Sequence, residues 1–298
     1  MKKIFFLFVF FFGISSAFIS CSSSDENTPE IESEEESIPL TDEVQQNVSY
    51  GENEQEVYDL YLPANRNSTK TKVLILVHGG GWTSGDKADM TQFITLIQTN
   101  HPNHAIVNMN YVLATTSIPA FPNQFLEIDK VINKLTAEKE TLQILPEFGL
   151  IGTSAGAHLA LQYDYAYDTD NQVKMVCDIV GPTDFTDPFY ANDPNFNIAL
   201  SLFVDESAYP NTTNYTEAVS PAFQVSTSSS PTIMFYGNQD PLVPLTNGER
   251  LDTKLSNAMI DHNFTIYPGG HGDNWSAASI ADLQIQLSAF INTHLSIL

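Results

Sequence analysis

Residues 148–158 read FGLIGTSAGAH, and this stretch decides the fold. Its first four residues have the apolar character of a short buried strand, and a helix is predicted from Ala155 onward. Between the two lies Gly-x-Ser-x-Gly, centred on Ser154. Gly152 and Gly156 suit a tight, strained turn, because a Cβ at either position would collide with the neighbouring strand or helix. The stretch therefore predicts that Ser154 is a nucleophile exposed at the end of a strand.

Strands and helices alternate on both sides of this turn. Apolar runs predict strands at 57–62, 73–77, 105–109, 148–151, 173–180, 232–236 and 264–267, and helical spacing covers 124–139, 155–165 and 280–295. Residues 48–50 and 57–62 are expected to pair as an antiparallel opening. The run at 73–77 is aliphatic throughout and the run at 105–109 is apolar except at Asn108, as in strands covered on both faces. The pattern predicts an α/β fold with a mostly parallel central sheet and helices on both faces.

The regular alternation stops between residues 185 and 230, where aromatic residues are interspersed with turn formers. Two interpretations remain open for this segment. It could line or cap a binding pocket, or it could form an additional packing layer. No second domain and no internal repeat is indicated.

A glycine run follows the strand predicted at 73–77 and reads His78-Gly79-Gly80-Gly81-Trp82. Backbone N–H groups in such a loop can point at a developing negative oxygen. The predicted donors are the N–H groups of Gly80, Gly81 and Ala155. His78 is expected to support the loop by hydrogen bonding, and Trp82 either packs internally or walls an acyl pocket.

These motifs resemble those of a known family. His78–Trp82, the Gly-Thr-Ser-Ala-Gly turn, and Asn110-Tyr111-Val112-Leu113 with Phe121-Pro122 are similar to elements of the α/β-hydrolase esterases, which include hormone-sensitive-lipase-like, acetylxylan and feruloyl esterases. The resemblance covers roughly residues 45–298 and implies the α/β-hydrolase fold. Val112 departs from the pattern, since relatives commonly carry Arg there, and this leaves the subfamily open.

The same fold implies the chain order Ser, then Asp or Glu, then His for a catalytic triad. Asp240 follows the strand at 232–236, and His271 follows the strand at 264–267. His271 is the predicted base and Asp240 the predicted acid, with Asp184 as the alternative acid.

The remaining histidines are expected to be structural. His158 is expected to pack against the sheet, and His262 precedes its strand. His101, His104 and His294 are expected in surface or loop positions.

The N-terminus has the features of a targeting segment. Lys2 and Lys3 precede an apolar run at 4–12, and small residues lead to Cys21. This indicates a secretory signal peptide over residues 1–21, with Cys21 resembling the lipidated cysteine of bacterial lipoproteins. Residues 22–43 hold nine acidic residues and predict a disordered tether. The hydrolase domain is then expected over 44–298, anchored by lipid at the outer membrane, and whether it is exposed at the cell surface is left open.

Net charge and the motifs that the sequence lacks exclude several classes of function. The formal net charge of −24 over 298 residues argues against a nucleic-acid partner. No zinc-ligand spacing, P-loop or dinucleotide motif is present, so neither a metal nor a cofactor is expected. The sequence predicts a serine carboxylesterase that acts on a small-molecule or polysaccharide ester, with deacetylation or deferuloylation as candidate reactions. The alternatives are a peptidase or formamidase on the same triad and a non-catalytic surface binding protein.

Overall fold

Aliphatic runs form the centre of the structure. In the computed structural model, which describes residues 40–297, the runs at Val73–Val77 and Ala105–Met109 are neighbouring parallel strands that are buried at every residue. They belong to an eight-stranded sheet with the order β1-β2-β4-β3-β5-β6-β7-β8. The strands are β1 (Glu43–Ser49), β2 (Val57–Leu62), β3 (Val73–Val77), β4 (Ala105–Met109), β5 (Phe148–Thr153), β6 (Val173–Ile179), β7 (Thr232–Gly237) and β8 (His262–Tyr267).

The sheet is antiparallel only at one end. Strand β2 pairs antiparallel with both β1 and β4, and every other pair is parallel. The carboxyl ends of β3, β5, β6, β7 and β8 consequently meet at one edge, where α/β sheets bind ligands. The predicted mostly parallel sheet is confirmed.

Ten α-helices accompany the strands over the described residues. They are α1 (Thr91–Asn100), α2 (Asn123–Ala137), α3 (Lys139–Leu142), α4 (Ala155–Ala166), α5 (Pro188–Ala191), α6 (Pro194–Phe203), α7 (Tyr215–Ala218), α8 (Pro221–Gln224), α9 (Leu245–Ala258) and α10 (Ala277–His294). None of the helices between residues 40 and 297 is long and apolar enough to cross a bilayer.

Strand β3 shows how the sheet separates two cores. Val73, Ile75 and Val77 point into a core that includes residues of α2 and α4, whereas Leu74 and Leu76 point into one that includes residues of α1 and α10. This alternation follows from the two-residue period of a strand. The predicted placement of helices on both faces is therefore confirmed.

Several boundaries differ from the predicted ones. Strand β1 begins at Glu43, so the last residue of the predicted tether belongs to the sheet. Helices α1 and α9 lie in stretches where the sequence did not predict helix. The predicted signal peptide, Cys21 and residues 22–39 of the predicted tether lie outside the described residues.

Two histidines are buried against expectation. His101 and His104 lie in the loop between α1 and β4, as one of the two predicted placements has it, but they are 4% and 7% exposed, so a surface position is wrong. A ring nitrogen of His101 lies 2.8 Å from Ser288 Oγ, and one of His104 lies 2.8 Å from Leu295 O. Both imidazoles thus hydrogen-bond to the C-terminal region, which places them in the interior.

Residues 185–230 form short helices, and several aromatic side chains of this segment pack inward, although Phe189 is exposed. Phe185 and Tyr190 are buried, and Phe196 and Phe203 pack against the same core as β3 and α4. The rings of Tyr190 and Phe196 lie 4.7 Å apart, and those of Phe185 and Phe196 lie 5.3 Å apart. The segment therefore adds a packing layer beside the sheet, which is one of the two interpretations that the sequence left open.

Candidate active site

Ser154 occupies a tight turn between β5 and α4. Its φ is +52° and its ψ is −120°, a conformation that L-residues rarely adopt. A Cβ on Gly152 would overlap the backbone of Ala157, and one on Gly156 would overlap the carbonyl oxygens of Val77 and His78. Glycine is therefore required on both sides of the serine, for the steric reason that the sequence indicates.

The structure brings Ser154, His271 and Asp240 together. His271 Nε2 lies 2.8 Å from Ser154 Oγ, and His271 Nδ1 lies 2.6 Å from Asp240 Oδ2. The three side chains come from the ends of β5, β8 and β7, which are close neighbours at one edge of the sheet. This is the geometry of a nucleophile, a base and an orienting acid.

Asp240 is held as a carboxylate. Its side chain is fully buried, and burial alone would raise its pKa. The hydrogen bond to His271, together with those from the backbone N–H groups of Val243 and Leu242, outweighs burial and lowers the pKa overall. A charged Asp240 keeps the proton of His271 on Nδ1 and leaves the Nε2 lone pair facing the Ser154 hydroxyl.

The glycine loop passes directly beside the serine. A Cβ on Gly79 would lie 3.2 Å from Ser154 Cβ, and Gly80 lines the same cavity as Ser154. Gly80 and Gly81 have φ of +118° and +59°, so the loop needs residues without a side chain. Ala155 is the first residue of α4, and its N–H has no acceptor one turn earlier in that helix.

Tyr111 and Gln124, which come later in the chain, support the glycine loop at 78–82. Tyr111 Oη donates to His78 O at 3.0 Å, and its ring stacks on the His78 imidazole at 4.3 Å. Gln124 Nε2 donates to Trp82 O at 2.9 Å and to Val112 O at 2.8 Å. Sequence analysis missed Gln124, although a glutamine on the apolar face of α2 is a detectable signal.

His78 and Trp82 are both inside the protein. His78 Nδ1 lies 2.6 Å from Gly79 O, and burial lowers its pKa, so the imidazole is neutral. Trp82 packs among Phe121, Phe185 and Phe203 and does not line the cavity that contains Ser154. Of the two roles left open for Trp82, the structure supports internal packing.

The alternative acid is engaged elsewhere. Asp184 forms an ion pair with Arg250 at 2.8 Å, and its Oδ1 accepts hydrogen bonds from Thr186. His271 contacts Asp240 and not Asp184.

Ser154 and His271 open into one cavity of about 670 Å³. Its walls include α1, the end of β6 and α10, and its apolar lining consists of Phe93, Leu96, Ile179, Val180, Trp275, Ile280 and Leu283. Gln92, Gln284, Asp89 and Asp273 add polar groups. No residue of 185–230 lines this cavity. Between residues 40 and 297, no cluster of three or more His, Cys, Asp or Glu side chains could hold a metal ion.

Comparison with known families identifies one match. The BD-FAE family model matches residues 58–255, a range that contains Ser154 and Asp240 and ends before His271. Among curated proteins, no sequence matches the chain significantly.

Solved structures show the same fold at low sequence identity. A truncated carbohydrate esterase from gut microbiota has 18% identity and a TM-score of 0.66, over 84% of this chain and 98% of its own. An acetyl ester-xyloside bifunctional hydrolase from Caldicellulosiruptor lactoaceticus has 16% identity and a TM-score of 0.64, over 87% and 98%. The butyrate-bound thermophilic esterase Est2 from Thermogutta terrifontis has 16% identity and a TM-score of 0.67, over 86% and 95%.

Proposed function

The chain belongs to the BD-FAE family of α/β-hydrolase esterases, and on that basis we propose that Ser154 is the nucleophile of a carboxylesterase. The observation that carries the proposal is the pair of short contacts that His271 makes with Ser154 and Asp240, at 2.8 and 2.6 Å. A serine hydroxyl is a weak nucleophile by itself, and it becomes reactive when an adjacent base accepts its proton.

Acylation begins when Ser154 Oγ attacks the ester carbonyl carbon while His271 Nε2 takes the hydroxyl proton. The carbonyl π electrons move to oxygen, and the N–H groups of Gly80, Gly81 and Ala155 stabilise the resulting oxyanion. When the C=O bond re-forms, the bond to the alcohol oxygen breaks. The leaving alcohol receives the proton from His271, and Asp240 stabilises the transient imidazolium.

Deacylation repeats the same steps with water as the nucleophile. His271 takes a proton from water as the water oxygen attacks the acyl carbon, and collapse of the second oxyanion breaks the bond to Ser154 Oγ. The proton returns from His271 to that oxygen. The products are a carboxylic acid, an alcohol and the free enzyme.

The proposed substrates are acetyl or feruloyl esters of polysaccharide. Support comes from the carbohydrate esterase and the acetyl ester-xyloside hydrolase among the similar structures. A peptidase or formamidase reaction would use the same three residues, so substrate comparison must separate the two classes. Initial rates on acetylated xylan, methyl ferulate and peptide p-nitroanilides provide that comparison, and faster turnover of the anilides would overturn the ester assignment.

The direct test of the nucleophile is Ser154→Ala with p-nitrophenyl acetate. Loss of the Oγ is expected to reduce kcat by at least about 10³-fold, since only binding and oxyanion stabilisation remain. Ser228→Ala, which changes an exposed loop serine, is the matched control and should keep the wild-type rate. An active Ser154→Ala enzyme would refute the mechanism.

We also propose that the enzyme is exported and anchored through Cys21 at the outer membrane. The proposal depends on the basic pair Lys2 and Lys3, the apolar run at 4–12 and the cysteine that follows. Cys21→Ser should move the protein from the detergent-soluble membrane fraction to the soluble fraction. Unchanged fractionation would argue against lipidation.

A further inference from the structure

The turn after β6 contains a valine in a left-handed backbone conformation. Val180 has a φ of +52°, which is unfavourable for a residue branched at Cβ. Its N–H donates to Phe235 O at 2.9 Å. Such a conformation persists only where surrounding contacts enforce it, and it often marks a functional position.

Asp178 and Tyr236 supply those contacts. Gly181 N–H donates to Asp178 Oδ1 at 2.7 Å, and Tyr236 Oη lies 2.6 Å from Asp178 Oδ2 and 2.5 Å from Gly181 O. A phenol has one proton and cannot donate to both oxygens at full strength. A protonated Asp178 satisfies every atom, because it donates to Tyr236 and Tyr236 donates to Gly181 O. Burial raises the pKa of Asp178 to about 7, in agreement with this arrangement.

The same turn is attached to the nucleophile. Ile179 O accepts the N–H of Ser154 at 2.8 Å. A Cβ on Gly181 would lie 2.8 Å from the Ala157 Cβ of α4, so the turn packs closely against the helix that follows Ser154. Contacts of the residues before and after Val180 therefore fix its position relative to Ser154.

Val180 is 2% exposed, belongs to the core on the α1 and α10 face of the sheet, and is one of the residues that line the cavity shared by Ser154 and His271. Its neighbours on the cavity wall include Phe93, Leu96 and Leu283, which suit a hydrocarbon acyl group better than a hydroxylated alcohol. We propose that Val180 is a specificity-determining residue that limits acyl size, and that Asp178 and Tyr236 are positioning residues that hold it in place. This inference rests on the proposed esterase function.

The primary experiment measures acyl preference. For Val180→Ala, the ratio of kcat/KM for p-nitrophenyl hexanoate to that for p-nitrophenyl acetate should rise about tenfold, since a methylene in an apolar pocket changes specificity by about 10- to 200-fold. Val180→Phe should lower the ratio. Val176→Ala removes the same atoms from β6 on the opposite face of the sheet and should keep the wild-type ratio. An unchanged ratio in both Val180 variants would overturn the proposal.

A second experiment tests the backbone conformation itself. Glycine adopts positive φ without steric cost, and alanine does not. Val180→Gly should therefore have a higher Tm than Val180→Ala. At position 176, in the interior of β6, the order should reverse, because glycine weakens a strand. If Val180→Gly instead has a lower Tm than Val180→Ala, as expected at position 176, then Val180 is not left-handed in solution.

A third experiment tests the positioning residues. Tyr236→Phe removes the oxygen between Asp178 and Gly181, and it should shift the hexanoate-to-acetate ratio in the direction of Val180→Ala. Adding Val180→Ala to Tyr236→Phe should change the ratio little further, since the two act on one wall. Asp178→Asn retains a donor for Tyr236 and an acceptor for Gly181, so it should preserve the ratio that Asp178→Ala alters. If these variants have a lower Tm but an unchanged hexanoate-to-acetate ratio, Asp178 and Tyr236 have a purely structural role.

The outcomes separate this inference from the function on which it rests. If Ser154→Ala keeps its esterase rate, the proposed function fails. If Ser154→Ala is inactive while the Val180 variants keep the wild-type acyl preference, only the assignment of Val180 fails.

Discussion

Trp82 Nε1 donates a hydrogen bond to His158 Nδ1 over 3.2 Å. The bond connects the glycine loop after β3 to α4, the helix that begins next to Ser154. The other ring nitrogen of His158 lies 2.8 Å from Val219 O, so it carries the proton and Nδ1 is the acceptor. Burial lowers the pKa of His158 to about 4, which keeps this arrangement neutral.

Trp82→Phe tests the contribution of that bond. The substitution keeps an aromatic ring in the cluster but leaves His158 Nδ1 buried without a donor. The free energy of unfolding, measured by urea denaturation, is expected to fall by about 1–3 kcal/mol. Pairing Trp82→Phe with His158→Phe forms a double-mutant cycle, and strictly additive effects would show that the two side chains do not interact.

Asp240→Asn tests the orienting acid. An amide can donate to His271 Nδ1, which would place the imidazole proton on Nε2 and remove the base for Ser154. Steady-state kinetics should show kcat/KM lower by about 10³- to 10⁴-fold with a nearly native Tm. Asp184→Asn, at the alternative acid, should retain activity within about threefold of wild type, because Asp184 pairs with Arg250 and does not contact His271. Comparable losses in the two variants would contradict the assignment of Asp240.

The buried carboxyl of Asp178 predicts a pH dependence of stability. Its pKa of about 7 lies above the ordinary value of 3.8, so the folded protein retains a proton that the unfolded chain releases in this range. The stabilisation from this group is complete below about pH 4 and is lost as the pH rises through about 7. Asp178→Asn cannot titrate, and its stability relative to wild type should increase from pH 4 to pH 8, by at most about 4 kcal/mol.

Urea denaturation of both proteins across this pH range provides the measurement. Asp170→Asn, at an exposed position, serves as the control. If the free energies of unfolding of Asp178→Asn and wild type differ by the same amount at every pH, Asp178 is already ionised at low pH.

Two glycines of the site differ in what a methyl group would meet. Gly156→Ala would drive its Cβ into the carbonyl oxygens of Val77 and His78, which are backbone atoms that cannot rotate away. Gly81→Ala would meet no atom within 4 Å and is opposed only by its φ of +59°. Thermal unfolding should show that the free energy of unfolding falls by at least about 3 kcal/mol in Gly156→Ala and by about 1 kcal/mol in Gly81→Ala. The reverse order would mean that the loop after β3 does not pack on the turn at Ser154.

The parts of the fold that local sequence determines were predictable. Strands β3 and β4 are aliphatic at nearly every position, and their predicted bounds agree with the structure. Helix α9 was missed because its buried positions include Asn247 and Gly248 beside Leu251 and Leu255. Polar and small residues at buried positions obscure the apolar period on which a helix prediction depends.

For the site, sequence order and strand ends were sufficient to select the three residues that the structure brings together. The supporting contacts were not predictable, because they join residues far apart in the chain. Gln124 reaches the carbonyl of Trp82, 42 positions earlier. Tyr236 contacts Gly181 across 55 positions, and the conformation of Val180 follows from that tertiary contact and not from its local sequence.

Ser154 and His271 are 117 positions apart, and the histidine enters from the loop after the final strand of the sheet. A nascent or partly refolded chain whose β8 has not yet docked on β7 would hold a serine without a base. Hydrolysis would then begin only when the last strand is in place. In refolding from denaturant, the onset of product release would time the docking of β8.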